Sequence, residues 1–183
     1  MYQVIYADPP WAYNDKTPRG GAENHYETMS LPDICAFQVN GKPVKELVAP
    51  DAALFLWVTW PLMPHAIAVM GSWGFTYKTC AFTWVKTTQT GKPAFGLGHW
   101  TRGNTEPCLL AVRGKPKRID AGVPQVLLEE LEEEAVFAQR ARHSAKPPEI
   151  RERIVRLMGD VPRLELFARD RANGWDSIGN ELK

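Results

Sequence analysis

Asp8-Pro9-Pro10-Trp11 puts a carboxylate, two ring-locked residues and an indole in four consecutive positions. It follows directly on the apolar run Val4-Ile5-Tyr6-Ala7, which reads as a short buried strand stopped by the two prolines. Each proline fixes its own φ and drives the residue before it away from helix. Neither carries an N–H, so the carbonyls of this segment are expected to be free acceptors. Asp8 and the Pro9 carbonyl would then hold an –NH2 group from two sides, while Trp11 stacks on the flat ring bearing it. The exocyclic amine of a nucleobase is a poor nucleophile, because its lone pair is delocalised into the ring. Two acceptors on its hydrogens favour a pyramidal nitrogen that can attack an electrophilic methyl group. Such chemistry needs positioned acceptors and no covalent nucleophile. The bland reading of the same residues is a Pro-Pro turn with a packing tryptophan.

The elements that must position these residues follow from pattern. The chain has 183 residues, 44% hydrophobic and 23% charged, which is ordinary for a soluble globular protein and predicts one domain spanning 1–183. Residues 31–39 are expected as a helix capped by Ser30, with 40–51 a connection. Ala53 to Thr59 reads as a strand covered on both faces, Pro61 to Gly71 as a helix, and Phe75 to Val85 and Pro107 to Val112 as further strands. Strand, helix and strand at this spacing predict an α/β fold with a parallel sheet. The acidic stretch within 126–142 reads as a solvated helix end. Pro147 to Met158 is a helix with Ile150, Ile154, Val155 and Met158 on one face, closed by Gly159. Arg163 to Phe167 is a last strand. Loops 12–25 and 86–104 flank the proposed site.

Composition bounds the function. The net charge of +1 supplies no global basic field, so any nucleic-acid surface must be local. Cys35, Cys80 and Cys108 lack metal or disulfide spacing and read as reduced core thiols. The four histidines carry no metal-ligand pattern, so no metal is expected. The N-terminus enters a strand without a leader, and no run reaches membrane-spanning length, which predicts a cytoplasmic protein with no membrane partner.

Several further blocks stand in a defined order after the first: Tyr26-Glu27-Thr28-Met29, Gly98-His99-Trp100-Thr101-Arg102 with Glu106-x-Cys108-Leu109, Ser144-x-Lys146-Pro147, Glu165-Leu166-Phe167-Ala168-Arg169, and Gly179-Asn180-x-Leu182. Together they resemble the MT-A-seventy (MT-A70) family of adenine N6-methyltransferases, which use S-adenosylmethionine (AdoMet), and the match covers nearly the whole chain. The resemblance implies a Rossmann-like methyltransferase sheet flanked by helices, in permuted order, with the catalytic strand early and the cofactor strand late. It implies catalytic roles for Asp8, Pro9, Pro10 and Trp11, and substrate contacts from Tyr26, Trp100, Arg102, Glu106 and Lys146. Cofactor contacts would come from Asp8, Lys146, Phe167, Arg169, Arg171, Asn173, Asn180 and Glu181. Glu181 stands where the family often has Gln, and Ala145 where a His commonly precedes the lysine. Arg171 and Asn173 stand in for the family's His-Asn pattern.

The reading that results is transfer of a methyl group from AdoMet to the N6 amine of adenine in a polynucleotide. The base must be single-stranded or flipped out to be reached. DNA is favoured over RNA, because the chain lacks appended RNA-binding modules and reads like a small bacterial or phage enzyme. The alternatives are an RNA adenine N6-methyltransferase, a catalytically silent nucleic-acid-binding scaffold of a methyltransferase complex, and methylation of free nucleotides. A homodimer or partner protein supplying more nucleic-acid surface is also left open.

Overall fold

Side chains of the strand Tyr2–Ala7, β1, alternate between two separate cores. Ile5 and Ala7 pack with Leu54, Leu56, Ala66, Val69 and Trp73; Val4 and Tyr6 pack with Phe55, Trp57, Ile150 and Ile154. A strand buried on both faces must be interior to a sheet covered on both sides. The computed structural model describes residues 1–12, 28–88, 90–94, 100–130, 146–180 and 182.

Helix α1 is Leu31–Cys35, with the Ser30 hydroxyl accepting from the Asp33 N–H. The helix expected over 31–39 therefore stops early. Strands β2 (Gln38–Val39) and β3 (Lys42–Pro43) form a hairpin instead. Its turn residues Asn40 and Gly41 have φ of 52° and 77°, the left-handed pair that a two-residue hairpin turn demands. Helix α2 (Val44–Leu47) leads into β4 (Val48–Trp57), which starts earlier than expected and ends before Val58. A 3₁₀ turn, Trp60–Leu62, precedes helix α3 (Met63–Ser72), with Pro64 in its first turn where the missing N–H costs nothing. The remaining elements are β5 (Thr76–Thr87), β6 (Thr105–Arg113), β7 (Val126–Glu130), α4 (Glu149–Met158), β8 (Arg163–Leu166) and β9 (Asp176–Ile178). Val126–Glu130 is thus an edge strand, not the expected helix end; its backbone pairs with β5, and that tertiary pairing overrides the local acidic pattern.

The sheet order is β7-β5-β6-β4-β1-β8-β9. The pairs β1·β4, β1·β8, β5·β7 and β8·β9 are parallel, as expected, but β6 is antiparallel to both β4 and β5. The correction has a simple cause. The connection from Thr87 to Thr105 re-enters the sheet at the rim it left, and an antiparallel pair needs no crossover. The α/β sheet is therefore mixed. Its permuted order is as anticipated: the first strand and the late strand β8 are neighbours, with Tyr6 beside Glu165 and Ala7 beside Leu166.

Helix α4 is tied to that late strand by a bidentate ion pair. Arg151 Nε and Nη2 each lie 2.7 Å from a Glu165 carboxylate oxygen, and the Glu165 side chain is only 8% exposed. Arg151→Ala should destabilise the fold by roughly 2–4 kcal/mol, since it strands a nearly buried carboxylate whose partner was itself partly solvated. The double substitution Arg151→Met with Glu165→Leu should recover most of that loss, as urea unfolding would measure.

Candidate active site

The topology gathers chemistry on one rim. The carboxyl ends of β4, β1, β8 and β9 and the amino end of reversed β6 all face the same way. Asp8 follows β1, Phe167-Ala168-Arg169 follows β8, Gly179-Asn180 follows β9, and Glu106 is the second residue of β6. Ligands of parallel sheets bind at this edge.

Lys146, just ahead of α4, joins these ends. Its Nζ lies 3.0 Å from Asp8 Oδ2 and 3.3 Å from Glu106 Oε2. Lys86, at the end of β5, places its Nζ 2.8 Å from the other Glu106 oxygen. Two ammonium groups and two carboxylates thus alternate along the rim. Lys146 also faces the rings of Trp57 and Trp84, at 5.5 Å and 6.0 Å from their centroids, and Lys86 lies 4.1 Å over Trp84.

The pKa values of the two carboxyls are shifted in opposite directions. Burial pushes the Asp8 carboxyl above its ordinary value, and Lys146 only partly opposes this. Burial acts on Glu106 too, but the charges of Lys146 and Lys86 together hold it below the usual range. Burial acts to lower the Lys146 pKa; the flanking Asp8 and Glu106 charges outweigh it and raise the pKa instead.

Trp11 departs from the expected stacking wall. It is 5% exposed and packed in the core, and its Nε1–H donates to the Trp57 carbonyl at 3.0 Å. Trp57 in turn donates its Nε1–H to the Tyr6 hydroxyl at 2.8 Å. A buried indole must satisfy its N–H, and the end of β4 supplies the acceptor. Trp11 therefore anchors the segment. The expectation of wholly free carbonyls is also corrected: the Trp11 N–H donates to the Pro9 carbonyl and the Met29 N–H to the Pro10 carbonyl, both at 2.8 Å. Prolines remove their own donors but not those of residues folding back. Each carbonyl retains a second lone pair.

Beside Asp8 lies a cleft of about 580 Å³, counting its open mouth, lined by Asp8, Pro9, Pro10, Met29, Phe37, Phe167, Ala168, Arg169, Gly179 and Asn180. Phe37 and Phe167 form an aromatic wall with ring centroids 4.5 Å apart. Phe167 has φ of 61°, strained for a bulky residue and typical of functional turns. Gly179 permits the close approach of β9's end, since an added methyl would overlap the Ala168 carbonyl oxygen. The Ala168 N–H donates to Ile178 there at 2.9 Å. Phe37 gave no sequence signal as a lining residue, and Met29 closed a family block without an assigned role; only the fold places them here.

Of the expected site residues, Asp8, Pro9, Pro10, Phe167, Arg169 and Asn180 line the cleft, and Glu106 and Lys146 join its charged flank. Arg171 and Asn173 are exposed in the turn between β8 and β9, outside the lining. Trp100 is 99% exposed and Arg102 exposed on the approach to β6. Tyr26, Glu181, His99 and Ser144 lie outside the described residues. Cys108 is fully buried, and burial pushes its thiol well up, which suits a core residue. Among the described residues no group of three or more His, Cys, Asp or Glu is placed to hold a metal ion, and no helix is long and apolar enough to cross a membrane.

A helix-flanked mixed sheet in permuted order, with a carboxylate and a cleft on adjacent strand ends, is a Rossmann-like arrangement of the kind methyltransferases use. The MT-A70 family model matches residues 2–181, and the chain belongs to that family. It is an S-adenosylmethionine-dependent enzyme. It is 33% identical to the type II methyltransferase M.MunI of Mycoplasma sp., over 99% of this chain and 78% of that protein. It is 28% identical to the Arabidopsis thaliana N(6)-adenosine-methyltransferase MT-A70-like, and 28% to the N(6)-adenosine-methyltransferase catalytic subunit METTL3 of Homo sapiens. Each of those alignments takes in 99% of this chain, which spans only 24% and 28% of the two relatives.

Two outcomes test this geometry without reference to turnover. Lys146→Met should raise the Asp8 pKa further, and raise that of Glu106 less because Lys86 remains; carboxyl NMR titration reads both. Gly179→Ala should part Ala168 from the end of β9, costing about 1–3 kcal/mol in denaturant unfolding and weakening AdoMet binding in calorimetry.

Proposed function

We propose that this enzyme methylates the N6 amine of adenine in a polynucleotide, with Asp8 and the Pro9 carbonyl as the two acceptors on that amine. The observation that carries the reading is the Asp8 carboxyl, which lines the cleft with its Oδ2 3.0 Å from the Nζ of the buried Lys146. The cleft fits AdoMet by its donor set: Phe37, Phe167 and Met29 offer an apolar face for a purine, and Asn180 and Asp8 offer polar groups for ribose and amine. Bound there, AdoMet supplies an electrophilic methyl on a sulfonium.

The chain's own residues then orient the acceptor. Asp8 takes a hydrogen bond from one N–H of the adenine amine, and the spare lone pair of Pro9 takes one from the other. The nitrogen lone pair, freed from the ring, would then be available to the sulfonium methyl. Transfer of that methyl, with the C–S bond broken as the C–N bond forms, would leave the nitrogen cationic. Asp8, whose pKa burial has raised, stabilises that charge and takes the surplus proton on its way to solvent. Glu106, fixed by Lys86 and Lys146, reads an edge of the base or ribose. The charged residues support an enzyme over a silent scaffold.

The preference for DNA drawn from the sequence gives way to RNA as the first reading, because the plant and human relatives are named adenosine methyltransferases. DNA is the second reading, favoured by the 78% coverage of a relative named otherwise. A labelled-methyl assay on adenine-containing RNA and DNA oligonucleotides separates the two. Asp8→Ala should lower turnover by at least about 10²-fold. For the unaltered enzyme kcat/KM should fall as pH drops through a pKa above 3.8, the ordinary Asp value, because only the ionised carboxylate accepts. Undiminished methylation by Asp8→Ala would remove Asp8 from the reaction.

A further inference from the structure

Trp60 opens the 3₁₀ turn that follows the rim end of β4, and it is 52% exposed. Tryptophan has more apolar surface to hide than any other side chain, so a half-exposed one calls for an account. The ring is not loose. Its Nε1–H donates to Thr105 Oγ1 at 3.0 Å. The backbone beneath is pinned as well: the Val58 N–H donates to the Pro107 carbonyl at 3.2 Å, and the Leu62 N–H to the Thr59 carbonyl at 2.9 Å. Thr105 begins β6, and the next residue, Glu106, pairs with the Lys146 that pairs with Asp8. A flat π-face of fixed tilt therefore stands on the Glu106 side of the charged cluster. The cleft lined by Phe167 and Asn180 occupies the other side of Asp8.

We propose that Trp60 is a stacking platform for the nucleobase adjacent to the target adenine. The inference rests on the polynucleotide reading above and deepens it. A target base held at Asp8, with the cleft on one side, leaves the Glu106 side for the continuing strand. An unpaired base stacks on an aromatic face whatever its identity, so Trp60 contributes affinity and strand position without reading sequence. The hydrogen bond to Thr105 sets the ring before the strand arrives, which lowers the ordering cost of binding.

The test uses a short single-stranded oligonucleotide with one adenine, RNA or DNA according to which the enzyme methylates. In Trp60→Ala, Kd and KM for the oligonucleotide should rise between about 5-fold and about 100-fold, with kcat and AdoMet affinity unchanged and the variant still folded at the assay temperature. Trp60→Phe should lose less, and Thr105→Val, which releases the ring without removing it, should fall between wild type and Trp60→Ala. A substrate carrying an abasic site on one side of the adenine should bind wild type only as well as the intact substrate binds Trp60→Ala, while Trp60→Ala should not distinguish the two. Unchanged KM in Trp60→Ala, or an equal loss in variant and wild type on removing the neighbouring base, overturns the inference alone. A wild-type protein that methylates no polynucleotide overturns the underlying reading and this inference together.

Discussion

A lysine ammonium whose side chain is 7% exposed, shared between two carboxylates, is the interaction on which the site depends. Alone, such a charge would cost several kcal/mol to bury. Asp8 and Glu106 make it tolerable, and Lys86 balances the second carboxylate. The consequence is asymmetry. Glu106 is ion-paired to two lysines that hold its pKa below the usual range, whereas Asp8 is ion-paired to Lys146, feels the more weakly acting Arg169, and keeps a pKa raised by burial. A carboxyl paired with an ammonium yet basic for its kind suits hydrogen-bond acceptance and brief proton capture. Environment, not residue type, separates the two acids.

Three features of the backbone bring these charges together. Permuted order sets β1 beside β8, so that the end of the first strand meets a turn encoded near the other end of the chain. Reversal of β6 brings Glu106 to the rim by its strand's beginning rather than its end. Trp11, sunk into the core and bonded to the Trp57 carbonyl, fixes the Pro-Pro segment against β4. Across the cleft, the left-handed Phe167 and the close-packed Gly179 shape a wall that a relaxed strand-to-turn transition would not give.

Much of this was legible in the residues. The early strand, its proline stop and the Ile150–Met158 face are strong local signals, and the order of short blocks pointed to the family and its permuted sheet. The hairpin turn at Asn40-Gly41 is equally legible, yet it falls in the connection expected over 40–51 and its first strand, Gln38–Val39, in the helix expected over 31–39; the turn pair outweighs the short apolar pattern after Ser30. The direction of β6 was not legible, because an apolar run reads identically both ways. Nor was the edge strand Val126–Glu130, whose acidic pattern yields to pairing with β5. For the site, pattern identified Asp8, Glu106 and Lys146 separately, but only packing places Lys146 between the other two. The same limit explains Trp11: a sequence shows that an indole follows the prolines, not which way it turns.

The claim beneath all of this is that the target amine is held between the Asp8 carboxylate and the Pro9 carbonyl. The most direct measurement is a crystal structure with S-adenosylhomocysteine and an adenine-containing oligonucleotide bound. The account predicts the adenine N6 at about 3 Å from both acceptors, with the sulfur on the Phe167–Asn180 side. An ordered adenine whose amine meets neither oxygen, with Asp8 still occupied only by Lys146, would contradict it.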